Sequence, residues 1–122
     1  MQLLIQILIV LIALIHIYIL VFEMFLWEKR GSKVFTQFPK SLFSQTKVLA
    51  ANQGLYNGFL AAGLIWTFFI SDPYWSKNIA LFFLSCIFVA GVYGTYSASR
   101  KILYVQAIPA LITIVLILLK NY

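Results

Sequence analysis

The sequence predicts an all-α protein, a polytopic membrane protein whose single domain over residues 1–122 is a compact four-transmembrane-helix bundle. Two features of composition support this prediction: 63% of the residues are hydrophobic and only 10% are charged, whereas ordinary globular chains have about 45–50% and about 25%. A third observation is that the charged residues stand in short gaps between long apolar stretches. Each stretch approaches the about 20 helical residues that a hydrocarbon core of ~30 Å requires.

Four apolar stretches define the predicted helices. They cover approximately 3–27, 48–70, 78–98 and 102–119. The first is expected to end abruptly at Glu28-Lys29-Arg30-Gly31, and the second before Pro73, which cannot continue a helix. The third and fourth are so close in sequence that they must form an antiparallel hairpin. The segment 28–47 is the one sizeable connection, and its aromatic residues set among lysines fit either an interfacial amphipathic turn or a plain loop.

The distribution of basic residues predicts the orientation. The connections between helices 1 and 2 and between helices 3 and 4 hold seven of the nine basic residues: Lys29, Arg30, Lys33, Lys40, Lys47, Arg100 and Lys101. Only Lys77 and Lys120 lie on the other side. The positive-inside rule therefore places the two connections in the cytoplasm and both termini outside. Because the net charge of +6 is spread over these gaps and forms no patch, the expected partner is the lipid bilayer and no nucleic acid.

Polar side chains inside the predicted helices gather in the cytoplasmic half. At about 1.5 Å of rise per residue, five of them lie about 6–8 Å inside the boundary. These five are Glu23, Asn52, Gln53, Tyr93 and Gln106. Asn57 lies about 14 Å inside and His16 about 18 Å. Such groups are costly in hydrocarbon, so a shared depth indicates a polar pocket on the bundle axis that opens toward the cytoplasm.

The faces of the first two helices support this pocket. His16 and Glu23 are seven residues apart and share one face of the first helix. On the second helix an arc of about 140° carries Asn52, Gln53, Tyr56 and Asn57. The opposite side carries Gly54-xxx-Gly58, and the third helix carries Ala90-xxx-Gly94-xxx-Ala98; both ridges of small residues allow close packing. Pro109 removes a backbone hydrogen bond from the fourth helix and is expected to kink it.

The expected function is binding of a small lipophilic or amphiphilic molecule in this pocket. His16 and Glu23 are the candidate catalytic residues, since carboxyl and imidazole groups exchange protons. The candidate ligand-binding residues are Asn52, Gln53, Tyr56, Asn57, Tyr93 and Gln106. An acid–base enzyme acting on a lipid-soluble substrate and a small proton-coupled carrier, the latter as a homodimer, fit the same residues. A structural subunit or scaffold whose amides only join helices remains a further alternative.

No cofactor or metal site is expected. One histidine and a neighbouring glutamate fall short of the three or four ligands of a zinc site, and the lone Cys86 lies inside an apolar run. The sequence contains no glycine loop of nucleotide-binding type, no nucleophile elbow and no haem-attachment signature.

The chain resembles a bacterial family of small four-helix membrane proteins known as Domain of Unknown Function 1304. The resemblance rests on these segments: His16, Glu23-Met24-Phe25-x-Trp27, the stretch from Asn52-Gln53-Gly54-Leu55-Tyr56-Asn57-Gly58 to Gly63, Ala90-Gly91-x-Tyr93-Gly94 and Gln106-x-x-Pro109-Ala110. It implies a multi-pass protein of the bacterial plasma membrane and implies no activity. Two looser likenesses underlie the alternatives above: small multidrug-resistance transporters, which carry a glutamate in the first helix, and sterol isomerases of the emopamil-binding type, which use similar polar residues in an intramembrane pocket.

Overall fold

A computed structural model describes residues 1–120, and in that part of the chain all the regular elements are helical, without a strand. The α-helices are α1 Gln2–Val21, α2 Trp27–Val34, α3 Ser41–Gln45, α4 Lys47–Trp66, α5 Pro73–Ser97 and α6 Ile108–Leu119. Two π-helical turns, Phe22–Leu26 and Leu103–Ala107, and a 3-10 turn, Thr67–Phe69, complete the elements. The predicted all-α class is confirmed.

Two of the helical segments are long and apolar enough to cross a membrane. The first is the continuous run Gln2–Val34, which consists of α1, the first π turn and α2, and the second is α5. The segment Leu103–Leu119 is apolar but shorter.

The first helical run extends beyond its predicted end at residue 27. Gly31 does not stop the helix, because it is buried under Phe43, whose ring would overlap a Cβ at that position. The Trp27 ring lies against Phe43 as well, with ring centroids 5.1 Å apart, and its indole N–H donates to the Thr46 hydroxyl over 3.0 Å. The predicted loop 28–47 is therefore largely helical, since α2 and α3 pack together through this aromatic contact.

Helix α5 begins at Pro73, five residues before the predicted start at 78. Asp72 caps it: one carboxylate oxygen accepts from the backbone N–H groups of Tyr74 (2.8 Å) and Trp75 (3.1 Å). Proline suits the first helical position because its missing N–H would have no partner there. The proline that was expected only to end the second helix therefore also starts the third.

The long segments pack into a closed bundle in which each contacts two others. Helix α1 packs along α4, α5 packs along α6, and contacts between α4 and α5 and between α1 and α6 join the two pairs. The core residues are Ile5, Ile9, Ile12, Ala13, Leu64, Ala80, Leu84, Ile87, Ala110 and Ile117. They line the bundle axis, which is therefore apolar over most of its length.

Pro109 explains the second π-helical turn. Its ring would clash with the carbonyl of residue 105 in a regular helix, and it has no N–H to donate. The chain widens just before it, so that the N–H of Ile108 donates to the Leu103 carbonyl five residues back. The distortion expected from Pro109 thus takes the form of a widened turn.

The two ends of the bundle differ in charge. Gln2 and Lys120 meet at one end through a hydrogen bond between their side chains, and we call this the terminal end. We call the opposite end the basic end; it holds the α2–α4 connection and the turn between α5 and α6, with the seven basic residues named in the sequence analysis. Glu28 and Lys47 form an exposed ion pair there at 2.8 Å, and the hydrogen bond from Lys47 to this carboxylate raises the pKa of the lysine.

Candidate functional site

The glycine face of α4 points into the bundle. Gly54 is buried, and a Cβ added to it would lie 2.9 Å from the Glu23 Cβ and 3.1 Å from the Leu20 carbonyl oxygen. Gly58 lies over the Leu20 side chain, and a Cβ at Gly58 would overlap the end of that side chain. Because only glycine permits so close an approach, the Gly54–Gly58 face must be the one that meets the first helix.

The amide face of α4 consequently points out of the bundle. Asn52, Gln53 and Tyr56 are exposed, and Asn57 is half-buried with its side-chain N–H₂ donating to the Gln53 carbonyl at 3.0 Å. The expectation that these side chains line the bundle axis is wrong. The sequence correctly placed them opposite the glycines, but the close helix contact decides which of the two faces is inside.

Helix α5 repeats this arrangement at the same end. Gly91 is buried, and a Cβ there would lie 2.8 Å from the backbone nitrogen of Ala107 in the second π turn. Tyr93, two residues further along a helix, points away and is 73% exposed. Gln106 is half-buried within the π turn, and its side chain forms no hydrogen bond with another described residue. Tyr93 therefore does not line the axis either.

His16 and Glu23 are the two predicted residues that do face the interior. His16 is 1% exposed, and its Nδ1–H donates to the Ile12 carbonyl at 2.8 Å. This hydrogen bond uses Nδ1 as the donor and leaves Nε2 as the acceptor of the neutral ring. Within residues 1–120, the imidazole makes no contact with a carboxylate that would mark a catalytic pair.

Glu23 lies in the first π-helical turn, on the Gly54 contact. Its Oε2 atom is buried and has no hydrogen-bond partner among the described residues. Buried polar atoms nearly always have a partner, so an orphaned carboxyl oxygen needs a physical explanation such as a bound water, a ligand or a proton-transfer role. Widened turns of this kind are frequent at functional sites.

Residues 1–120 contain no cluster of side chains suited to bind a metal ion. No group of three or more His, Cys, Asp or Glu side chains lies close enough to hold a metal ion.

A cavity indents the surface at each end of the bundle, and the two differ in size. The larger, with a volume of about 590 Å³, lies at the basic end between α5 and the second π turn, and we call it the arginine groove. Its lining residues are Phe88, Val92, Thr95, Tyr96, Arg100, Leu103 and Tyr104. The smaller, of about 320 Å³, lies at the terminal end and includes Gln2, Gln6, Lys77 and Lys120 among its lining residues. None of the eight predicted site residues lines either cavity.

Comparison with known proteins places the chain in a family. The profile of the family described as "Protein of unknown function (DUF1304)" matches residues 10–118. The chain belongs to the DUF1304 family. It is also similar to "Uncharacterized protein YpaA" of Lactococcus lactis subsp. lactis (strain IL1403), with 32% identity over 117 residues that cover 94% of this chain and 97% of the relative. No solved structure gives a significant match.

The DUF1304 match covers the arginine groove completely and the terminal-end cavity only in part. All seven groove residues lie within 10–118, whereas Gln2, Gln6 and Lys120 of the other cavity lie outside that range. The groove is therefore built entirely from the part of the chain that defines the family.

Sequence reasoning did not select the groove residues. Arg100 was used only as one of the basic residues that predict the orientation, and Tyr96 and Tyr104 were not used. The available signal was their spacing, because Tyr96 and Tyr104 stand four residues before and four residues after Arg100 across the turn. Aromatic side chains flanking a cation at an apolar boundary are typical of a membrane interface.

Proposed function

We propose that this protein is an integral membrane protein with four membrane-spanning segments, which binds a small anionic amphiphile at its basic end. The membrane placement is supported by the outward face of the bundle, where large apolar side chains such as Leu3, Phe25 and Phe82 are exposed. In a soluble protein, the most apolar helices form the core. Here only 28% of the most apolar stretch of Gln2–Val34 and 22% of that of α5 is buried inside the protein.

The proposed orientation has the basic end in the cytoplasm and both termini outside. The support is the bias of the basic residues, which attracts that end to the anionic cytoplasmic leaflet of a bacterial plasma membrane. Single-cysteine labelling in intact cells tests it, in a Cys86→Ser background. A membrane-impermeant maleimide should label Ser71→Cys and not Ser99→Cys. Labelling of Ser99→Cys alone contradicts the orientation, and extraction of the protein by alkaline carbonate contradicts the membrane placement.

The arginine groove is the observation that carries the binding proposal. Its walls include Phe88, Val92 and Leu103, and its one charged lining residue is Arg100, which has no acidic partner within residues 1–120. A guanidinium presents several N–H donors in a planar fork that suits phosphate or carboxylate groups. The groove thus offers a cationic site beside an apolar surface, which matches an anionic head group with a short hydrocarbon chain.

The size of the groove fits a molecule of this kind. Pockets for small ligands have volumes of about 300–1,000 Å³ with apolar walls and few polar groups, and this groove has about 590 Å³. Thr95 already donates its hydroxyl proton to the Gly91 carbonyl at 2.7 Å, so its oxygen remains only as an acceptor. Among the lining residues, the phenol groups of Tyr96 and Tyr104 are then the neutral side-chain donors.

Binding of dodecyl phosphate to the protein in phosphatidylcholine nanodiscs tests the proposal, with dodecyltrimethylammonium as the cationic counterpart. Arg100→Ala should weaken binding of dodecyl phosphate by about tenfold or more, since hydrogen bonds to charged groups contribute about 1.5–3 kcal/mol. Binding of the cationic amphiphile should not weaken. Lys77→Ala removes one positive charge from the other cavity and serves as the matched control. Equal binding by wild type and Arg100→Ala, or a loss in Lys77→Ala instead, contradicts the assignment.

A second candidate function, proton-coupled transport or acid–base catalysis, is favoured by the orphaned Oε2 atom of Glu23. A carboxyl group without a fixed partner is free to bind and release a proton. If Glu23 serves this role, proteoliposomes should dissipate a pH gradient in the presence of substrate, and Glu23→Gln should abolish the flux. Equal proton flux in the variant would exclude Glu23 as the proton-carrying group.

A further inference from the structure

Helix α4 presents a polar face that no part of residues 1–120 covers. Asn52 and Gln53 are exposed, and neither side chain forms a hydrogen bond with a described residue. Tyr56 and Phe59 continue the same face one and two turns further on, with their rings in edge contact at 5.8 Å, and they are 61% and 54% exposed. We call these four residues the amide face.

The amide face is costly if the bundle is surrounded by lipid, so the inference rests on the membrane placement proposed above. Taking Lys47 as the boundary, Asn52 lies about 8 Å along the helix and Tyr56 about 14 Å. At that depth water is scarce, and an amide without a partner is unfavourable. Apolar residues would serve a purely lipid-facing surface better.

We propose that the amide face binds a second copy of this chain, with α4 packed on α4 across a twofold axis along the membrane normal. An amide both donates and accepts hydrogen bonds, so a face of amides is complementary to itself. Two copies inserted in the same orientation place equal residues at equal depth, as an isologous interface requires. Gln53 then lies opposite Gln53 of the second copy.

The charge distribution on α4 favours the same partner. Between Lys47 and Asp72 the sequence contains no charged residue. Two copies of α4 can therefore approach over their whole membrane depth without repulsion between like charges. A partner that binds through its own acidic or basic side chains would have no opposite charge to contact on the amide face.

Cysteine cross-linking in native membranes tests the dimer. In the Cys86→Ser background, cysteine is introduced singly at Asn52, Gln53 or Tyr56, and copper phenanthroline supplies the oxidant. Disulfides form only where the two Cα atoms approach within about 4.4–6.8 Å, so at least one of these positions should give mostly covalent dimer. Tyr93→Cys is the matched control, because Tyr93 is 73% exposed on α5 in the same half of the bundle.

Two results overturn the proposal. One is dimer formation at Tyr93→Cys equal to that at every α4 position, since random collision would explain both. The other is cross-linking of the α4 positions to a different protein, which would make the amide face a site for another subunit. Failure of the membrane placement is distinguishable, because the protein would then be released from the membrane fraction before any cross-linking.

Equilibrium association in liposomes provides a second readout that does not depend on disulfide geometry. Energy transfer between labelled copies should show that Asn52→Leu combined with Gln53→Leu weakens association about tenfold, since each interhelical amide contact is modest and several are lost together. Tyr93→Leu should leave association unchanged. Both changes are at exposed positions, so unchanged thermal unfolding of the variants shows that folding is intact. Association of the double variant as strong as in the wild type contradicts the inference.

Discussion

Replacement of Gly91 by alanine measures how closely α5 and the second π turn are packed. A Cβ at this position would lie 2.8 Å from the backbone nitrogen of Ala107 and 3.1 Å from its Cα. Comfortable contacts between such atoms require about 3.5–4.0 Å. Because both contacted atoms belong to the backbone, no side-chain rotation relieves the overlap, and the two segments must separate.

The magnitude follows from two opposing effects. Overpacking of a tight contact costs about 1–3 kcal/mol, and alanine regains up to about 1 kcal/mol over glycine in a helix. We therefore expect Gly91→Ala to lower the free energy of unfolding by about 1 kcal/mol, the middle of a range of about 0–2 kcal/mol. Gly94→Ala is the matched control on the same helix, since its Cβ would meet only the flexible Ile102 side chain at 3.2 Å.

Equilibrium unfolding by sodium dodecyl sulfate in mixed micelles, followed by tryptophan fluorescence, measures both variants. Gly94→Ala should unfold within about 0.5 kcal/mol of the wild type, because gained helix propensity offsets a small shift of Ile102. Equal stability of Gly91→Ala and Gly94→Ala would refute the claim that backbone contact at Gly91 holds the fourth segment against α5.

Two further predictions concern buried side chains at the basic end. Phe43 is 2% exposed and lies against Gly31, so Phe43→Ala should destabilise the packing of α2 and α3 by about 3–5 kcal/mol. Trypsin should then cleave after Lys40 faster than in the wild type, and cleavage at the wild-type rate contradicts this prediction. Glu23→Met removes the orphaned carboxyl oxygen and should raise the free energy of unfolding by about 1–3 kcal/mol, the cost of an unpaired buried polar group. The same detergent titration measures it, and a destabilised Glu23→Met would show that Oε2 is satisfied by a bound group.

The folding of the basic end depends on a contact that the local sequence signals do not reveal. Glu28-Lys29-Arg30-Gly31 has the charge and the glycine that usually end a helix, yet the helical run continues to Val34. The reason is the Phe43 ring on Gly31, a contact across twelve residues of chain. Asp72 and Pro73 are a cap and first-turn pair that acts within a few residues, but Pro73 was interpreted only as the end of the second helix, and the start of the third was placed five residues too late.

The candidate site shows the same difference between what local sequence signals predict and what packing between distant helices decides. The sequence correctly separated an amide side from a glycine side on α4, because the helical period alone sets which residues share a face. It could not decide which face is buried. That depends on the approach of Gly54 to the Glu23 Cβ, an energy of packing between two helices distant in sequence.

By itself, the sequence determined the helical class, the charge difference between the ends and the angular grouping of polar residues, since these follow from composition and local periodicity. The tertiary structure alone decided that the axis is apolar, that the amides point outward and that the arginine groove exists. Each of these arises from how closely helices approach one another. A glycine permits a close approach, but the local sequence does not specify which helix packs against it.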